Sequence, residues 1–361
     1  MNNSLWNRLA LPKKIKPAIT VWSAAALLLL AACGENAEPA EKNAGDASDT
    51  DAEKKAPAGE QAEIDIMLDW YPNAVHSYLY VAMENGYFEE EGLEVTIQFP
   101  ANPTDPINLA AAGKITLGIT YQPDVVTARA NQNVPVKSIA AIVRSPLNHT
   151  IFLEDSDIQT PADLAGKKVG YPGIPLNEAL IKTMVLSDGG DPAEVSMIDI
   201  GFELGTSIVS KQVDAVTGAY INHEVPVLAF EGHATRYFNP VDYGVPSFYE
   251  LVLVTNDATW ESQEEDIRAF WRAAVKGYEY MVEHPDEALD ILLNYQDQAN
   301  FPLIEAVEKQ SLTILLPKME ADSGFGSQDA DSWQETIDWM LEYGLIDETP
   351  SLDEIFVNIT E

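Results

Sequence analysis

The sequence predicts an α/β protein of two lobes, the second inserted in the first. Segments with strand and helix character alternate from Ile64 onward, which is the pattern of layered α/β architecture. Candidate strand ends near residues 70, 121, 172 and 221 run directly into turns rich in aromatic, amide, Pro and Gly residues. In open α/β sheets such ends line the ligand crevice. These turns come from both halves of the chain, and the apolar segment Leu251 to Thr255 sits where the chain would return to its first half. That layout is expected to close on a ligand by a hinge, with crossovers near Ser145 to His149 and Val245 to Glu250.

The elements follow in order. Ile64, Ile66 and Leu68 alternate with polar residues and mark a first strand; Glu94 to Phe99 reads as a second. Thr104-Asp105-Pro106 starts a helix that runs to Gly113. Ile115 to Ile119 is a short strand ending at Thr120-Tyr121-Gln122-Pro123, followed by a helix over Asp124 to Asn131 and an apolar strand over Val136 to Val143. A new unit opens near Asn148 with a strand over Ile151 to Glu154, and Thr160-Pro161-Ala162-Asp163 opens a helical turn. Lys168 to Gly173 is a strand running into a Gly/Pro turn, and Asn177 to Leu186 is a helix stopped by Gly189-Gly190. Val195 to Ile200 is a strand, Phe202 to Ser210 a helix and Val213 to Ala219 a strand that ends at Tyr220-Ile221-Asn222-His223-Glu224. Ser262-Gln263-Glu264-Glu265 has the form of a capping box, placing a long helix over Ile267 to about Glu283. The rest is helical, ending in Trp333 to Tyr343.

The two ends of the composition set limits. The chain has 361 residues and is 46% hydrophobic, enough for a large core of two domains. Arg8, Lys13, Lys14 and Lys16 precede an apolar run, Ile19 to Ala32, of signal-peptide length. It ends Leu30-Ala31-Ala32-Cys33-Gly34, which resembles a bacterial lipobox. The expectation is a leader over residues 1–32 and a lipid on Cys33 that holds the protein at the extracytoplasmic face of a membrane. Residues 33–62 are Ala, Glu, Asp, Lys, Gly and Pro with almost no large apolar side chain, and read as a disordered acidic tether. Cys33 is the single cysteine, so neither an internal disulfide nor a cysteine-rich metal site is possible. The formal charge is −37, and removing the four basic groups of the leader leaves −41. Nucleic acid is excluded as a partner, because phosphate binding needs Lys and Arg, and an anionic ligand would meet the field of the whole protein.

The chemistry concentrates in Leu68-Asp69-Trp70-Tyr71-Pro72-Asn73-Ala74-Val75-His76, where an aromatic face, an amide and an imidazole fall between Trp70 and His76. That set suits a flat, uncharged, nitrogen-rich ring better than an anion. His76 has three readings: a ligand donor, a cap on the following helix, or a surface histidine. Tyr121 and Gln122 stand at a strand end and are site candidates on that ground, while nothing places Arg129, Arg144 or Arg236 on a crevice turn. The five histidines show no metal-ligand spacing, and neither the His-Glu-x-x-His nor the phosphate-loop motif occurs.

Beyond these residues the chain resembles the solute-binding lipoproteins of bacterial ABC importers, and within them the branch that binds pyrimidine precursors of thiamine, related in fold to the eukaryotic thiamine-pyrimidine synthases. The likeness spans roughly residues 63–350. It is carried by Leu68 to Asn73 with His76, Tyr80-Val81-Ala82, Gly86-Tyr87-Phe88 and Glu91-Gly92-Leu93. Gly166 to Gly173, Gly218 to Glu224, Gly324-Phe325-Gly326-Ser327, Trp333 and Gly344-Leu345-Ile346 complete it. The resemblance implies a periplasmic-binding-protein-like fold of type II, with lobe 1 over residues 63–147 plus 250–361, lobe 2 over 148–249 and the ligand in the cleft. It implies a formylaminopyrimidine or hydroxymethylpyrimidine ligand stacked on aromatic rings, handed to permease subunits by a monomeric binding protein with no cofactor. The motif matches put Trp70, Asn73, Tyr220 and Glu224 in the site, with Glu224 the carboxylate for an aminopyrimidine edge; His76, Tyr121, Gln122, Pro172, Gly173 and Asn222, on or beside the crevice turns, complete the candidate set. A pyrimidine-synthase-like enzyme is disfavoured, because those relatives carry a cysteine-rich iron-binding motif and this chain has only Cys33. Riboflavin, a sulfonate, nitrate or a purine are alternative ligands; a structural surface protein is disfavoured by the crevice pattern.

Overall fold

The computed structural model of the chain describes residues 61–360. The expected leader, the lipobox at Cys33 and the tether up to residue 60 lie outside the described residues. Two five-stranded sheets organise the rest. The first stretch supplies β1 (Ala62–Met67), β2 (Leu93–Gln98), β3 (Leu117–Thr120) and β4 (Val136–Val143), with α1 (Ser77–Glu84), α2 (Tyr87–Glu90), α3 (Asp105–Ala111) and α4 (Gln122–Gln132) between them. The second supplies β5 (Asn148–Leu153), β6 (Lys168–Tyr171), β7 (Ser196–Asp199), β8 (Ala215–Tyr220) and β9 (Thr235–Phe238), with α5 (Pro175–Ser187), α6 (Leu204–Val209) and α7 (Glu224–Phe230). The chain then returns through β10 (Leu251–Asn256) to a helical tail, α8 (Asp257–Glu283), α9 (Pro285–Tyr295), α10 (Glu305–Met319), α11 (Ala330–Glu342) and α12 (Leu352–Ile355).

The strand order is β2-β1-β3-β10-β4 in one sheet and β7-β6-β8-β5-β9 in the other. In the first, β1 runs parallel to β2 and β3, and β10 enters antiparallel between β3 and β4. In the second, β6 is parallel to β7 and β8, and β5 is antiparallel to β8 and β9. The two sheets repeat one plan, and β10 carries the chain back to sheet one. The crevice turns therefore follow the carboxyl ends of β1, β3, β6 and β8, where the reversal of strand order opens a cleft. Strand β9, not anticipated from the sequence, pairs with β5 at the sheet edge.

Local signals explain most boundaries. Thr160 and Asp163 form the expected capping box, with the Asp163 carboxylate accepting the Thr160 N–H at 3.0 Å. The long C-terminal helix departs from expectation: it begins at Asp257, because Asn256 Oδ1 accepts the Thr259 N–H at 2.8 Å and caps it one residue after β10. Ser262 is no cap, since its hydroxyl donates back to Ala258 O at 2.7 Å. The helix bends there, with Gln263 at φ −128°. Gly277 shows why α8 packs so closely on α1: a Cβ at this position would fall 2.1 Å from Tyr78 O. The tail ends by rejoining sheet one, Val357 N–H donating to Ser138 O at 2.9 Å. Among the described residues no helix is long and apolar enough to cross a membrane.

Candidate functional site

The turn after β1 is built by its own polar groups. Asn73 Oδ1 accepts the Val75 N–H at 3.2 Å and its Nδ2 donates to Tyr71 O at 3.1 Å, which fixes the start of a 3₁₀ turn over Ala74–His76. His76 Nδ1 accepts the Asn73 N–H at 3.2 Å, so Nε2 carries the ring proton and donates it to Asp69 Oδ1 at 2.9 Å. Both ring nitrogens thus have protein partners. His76 is buried behind the turn and orients Asp69, whose carboxylate faces the cleft. Two of the three readings of His76 are corrected: it is buried rather than a surface histidine, and its side chain makes no cap bond to α1 but bonds the Asn73 N–H of the preceding turn and steers a neighbouring acid.

The end of β8 faces this turn from the other lobe. Glu224 opens α7, and its Oε2 accepts the Tyr220 N–H at 2.6 Å; the helix N-terminus favours the carboxylate there. One oxygen of Glu224 is therefore partly engaged before any ligand arrives. Across the cleft, the Tyr71 hydroxyl and His223 Nε2 are 3.0 Å apart and Asn222 Nδ2 donates to Ser311 Oγ of α10 at 2.9 Å. Glu308 Oε2 accepts the Ala74 N–H at 2.8 Å, and its Oε1 lies 3.7 Å from His223 Nδ1. Burial raises the Glu308 carboxyl above its ordinary range, and the neighbouring His223 opposes that rise. Trp70, although it stands on lobe 1, packs edge-on against Phe202 at 4.3 Å and joins the smaller apolar cluster of lobe 2. Beside this turn the lobes touch through the Trp70–Phe202 contact and through Tyr71–His223, Asn222–Ser311 and His223–Glu308.

Between them lies a narrow cavity with about 440 Å³ of empty space, a figure that includes space open to solvent. Of the residues singled out from the sequence, Trp70, Asn73, Tyr121, Pro172, Tyr220 and Glu224 line it. Sequence reasoning missed Asp69, Asn148, Ile174, Leu176, Asn177, Gly218 and His223. Asp69, Gly218 and His223 stood inside the motifs that drew attention, whereas nothing in the sequence marked Asn177. Burial pushes the phenols of Tyr121 and Tyr220 well above their ordinary range, so both remain neutral. The Tyr220 hydroxyl lies beside Tyr121 and Glu250, and Trp70 Nε1 has no hydrogen-bond partner.

His76, Gln122, Gly173 and Asn222 do not line the cavity. Gly173 makes the turn after β6 at φ +77°, where a Cβ would lie 2.9 Å from Asp199 Oδ2. Gln122 is wholly buried and belongs to the crossover: its Oε1 accepts the Tyr249 N–H at 2.7 Å, and its own N–H donates to Tyr249 O at 3.3 Å. The next residue, Glu250, ties the two crossovers together, Oε2 accepting the N–H groups of Leu147 at 2.6 Å and Asn148 at 2.9 Å. Burial pushes its carboxyl up to about 7, against the pull of those two donors. Asp124, in the first turn of α4, is likewise pushed up to about 7 by burial. Among the described residues no three His, Cys, Asp or Glu side chains are placed to hold a metal ion.

The arrangement is a narrow, largely apolar slot with acids, amides and phenols at its edges. The NMT1/THI5-like family matches residues 73–288. The chain is 59% identical over 299 residues to the formylaminopyrimidine-binding protein of Halalkalibacterium halodurans, covering 82% of this chain and 90% of that protein. It is 28% identical to the 4-amino-5-hydroxymethyl-2-methylpyrimidine phosphate synthase of Legionella pneumophila, over 70% of this chain and 79% of that one. In three dimensions it superposes on the zinc-bound ligand-binding component of an ABC-type import system from Staphylococcus aureus with a TM-score of 0.65 at 13% identity, covering 83% of this chain and 98% of that one; this likeness establishes the two-lobed binding-protein fold. The chain belongs to the NMT1/THI5-like family.

Proposed function

We propose that this protein is the extracytoplasmic solute-binding component of an ABC importer and captures a thiamine pyrimidine precursor of the formylaminopyrimidine type. The observation that carries the reading is the interlobe cavity, whose lining brings together an indole, two neutral phenols and the Glu224 carboxylate. The identity to a formylaminopyrimidine-binding protein supports the same ligand class. In this reading Trp70 and Tyr220 form the aromatic walls and Glu224 accepts hydrogen bonds from the amine edge of the ring. Asn73 and His76 fix the turn after β1, Gln122 the crossover, Gly173 the turn after β6 and Asn222 the contact with α10. Lobe 1, residues 63–147 plus 250–361, and lobe 2, residues 148–249, rotate about the crossovers at Leu147 and Glu250 to admit and release the ligand. The protein acts as a monomer, anchored by a lipid on Cys33 through the polar segment that follows it.

Binding rather than catalysis is the assigned role, although synthases occur among the relatives. A cysteine-rich iron site of the kind those enzymes resemble each other by is not available to a chain whose one cysteine is Cys33. Titration calorimetry with formylaminopyrimidine, hydroxymethylpyrimidine, thiamine, riboflavin and taurine tests the assignment. The expected result is tightest binding of a pyrimidine precursor; preference for riboflavin or taurine would overturn it.

A further inference from the structure

Asn177 stands in the first turn of α5, where its backbone N–H donates to Ile174 O at 3.1 Å. Its side chain is 1% exposed and lines the cavity. Neither Oδ1 nor Nδ2 has a hydrogen-bond partner in the protein. A buried primary amide with both atoms unpaired is destabilising, since each polar atom has given up water without replacement. Asparagine is also a poor helix former. An apolar side chain of the same size would serve packing alone better, so the amide points to a ligand.

The wall beside it is held back to leave room. Gly218, at φ +96° on β8, approaches so closely that a Cβ there would lie 2.7 Å from Pro172 Cδ and 3.1 Å from Asn177 Nδ2. The neighbouring Asn148 amide is differently placed: its Oδ1 already accepts the Gly218 N–H at 2.9 Å. Of these two cavity amides, Asn177 is the one with donor and acceptor both open.

We infer that Asn177 is a specificity-determining residue that recognises an amide substituent on the ligand ring, its Nδ2 donating to the substituent's carbonyl and its Oδ1 accepting the substituent's N–H. This rests on the pyrimidine reading above. The chemistry follows from complementarity. An acid such as Glu224 offers acceptors only, whereas a primary amide offers one of each side by side and matches another amide at two points. A formylamino group presents that pattern; a hydroxymethyl group presents a single hydroxyl and an aminomethyl group has no carbonyl. A site that hydrogen-bonds a substituent rejects analogues lacking it, because its own buried groups are then left unpaired.

The test is calorimetric titration of the wild type, Asn177→Leu and Asn177→Ala with formylaminopyrimidine and hydroxymethylpyrimidine, beside thermal unfolding of each ligand-free protein. Asn177→Leu keeps the side-chain size and removes both polar atoms. It is expected to weaken formylaminopyrimidine binding about ten- to a hundredfold, as the loss of two neutral hydrogen bonds does. Hydroxymethylpyrimidine binding is expected to change by less than about threefold on the same scale, and the ligand-free melting temperature to hold or rise. Asn177→Ala should show the same ligand selectivity, which guards against a fault of packing peculiar to Leu. Equal weakening for both ligands, unchanged binding of both, or a ligand-free melting temperature lowered in both variants would overturn the inference while leaving the pyrimidine reading in place. Failure of the wild type to bind either pyrimidine would overturn both.

Discussion

Glu250→Gln tests the crossover directly. Glu250 is wholly buried and bonds Leu147 and Asn148 N–H, and burial raises its carboxyl from 4.5 to about 7. Below pH 4.5 the group is protonated in both folded and unfolded chains. Between 4.5 and about 7 the folded protein keeps the proton that the unfolded chain has released. The native state then binds more protons than the unfolded state, so stability falls as pH rises through this window and levels off above it. At about 1.4 kcal/mol per pH unit the fall is about 3 kcal/mol. Glutamine retains a carbonyl oxygen for the two N–H groups and does not titrate. Asp124 has a raised carboxyl too, but it is present in both proteins, so the difference between them reports chiefly on Glu250. Urea unfolding of both proteins from about pH 4.5 to pH 8 is the assay. The variant's stability relative to wild type should grow by about 3 kcal/mol across the range. A difference that stays constant with pH would refute the argument and place the Glu250 carboxyl in its ordinary range.

Other outcomes follow from the same structure. Glu224→Gln should weaken binding of an aminopyrimidine about ten- to a hundredfold, as loss of a charged hydrogen bond does, and spare a deaminated analogue; Trp70→Ala should weaken both, and titration of the two ligands separates these patterns. Gly277→Ala should destabilise the protein by about 1–3 kcal/mol in urea unfolding, because the added Cβ would meet Tyr78 O at 2.1 Å. Cys33→Ala should abolish incorporation of labelled palmitate in cells, and equal label in the variant and the wild type would refute the anchor.

The sequence alone determined the α/β class and the places where chemistry collects. The period-two alternation at Ile64, the continuous apolar runs at Val136 and Leu251 and the turn residues at strand ends are local properties, and burial enforces them. Trp70 was legible from the aromatic-Pro-Asn turn after the first strand, whereas Tyr220 and Glu224 were legible through the family motif that matches them. Helix starts were less secure. Ser262 and Asn256 are both good caps by type, and the return of the chain from β10 decided in favour of Asn256. Only the tertiary structure could separate ligand groups from supporting ones. Gln122 and Tyr121 are adjacent, yet one bonds the Tyr249 backbone at the crossover and the other faces the cavity. His76 has both nitrogens occupied by its own turn. Asn177, an unremarkable helical residue in the sequence, is a buried amide with no protein partner. The physical reason is the same in each case: a side chain's hydrogen-bond partners come from segments far away in sequence, and an amide or imidazole becomes free to bind a ligand only when folding leaves it without one.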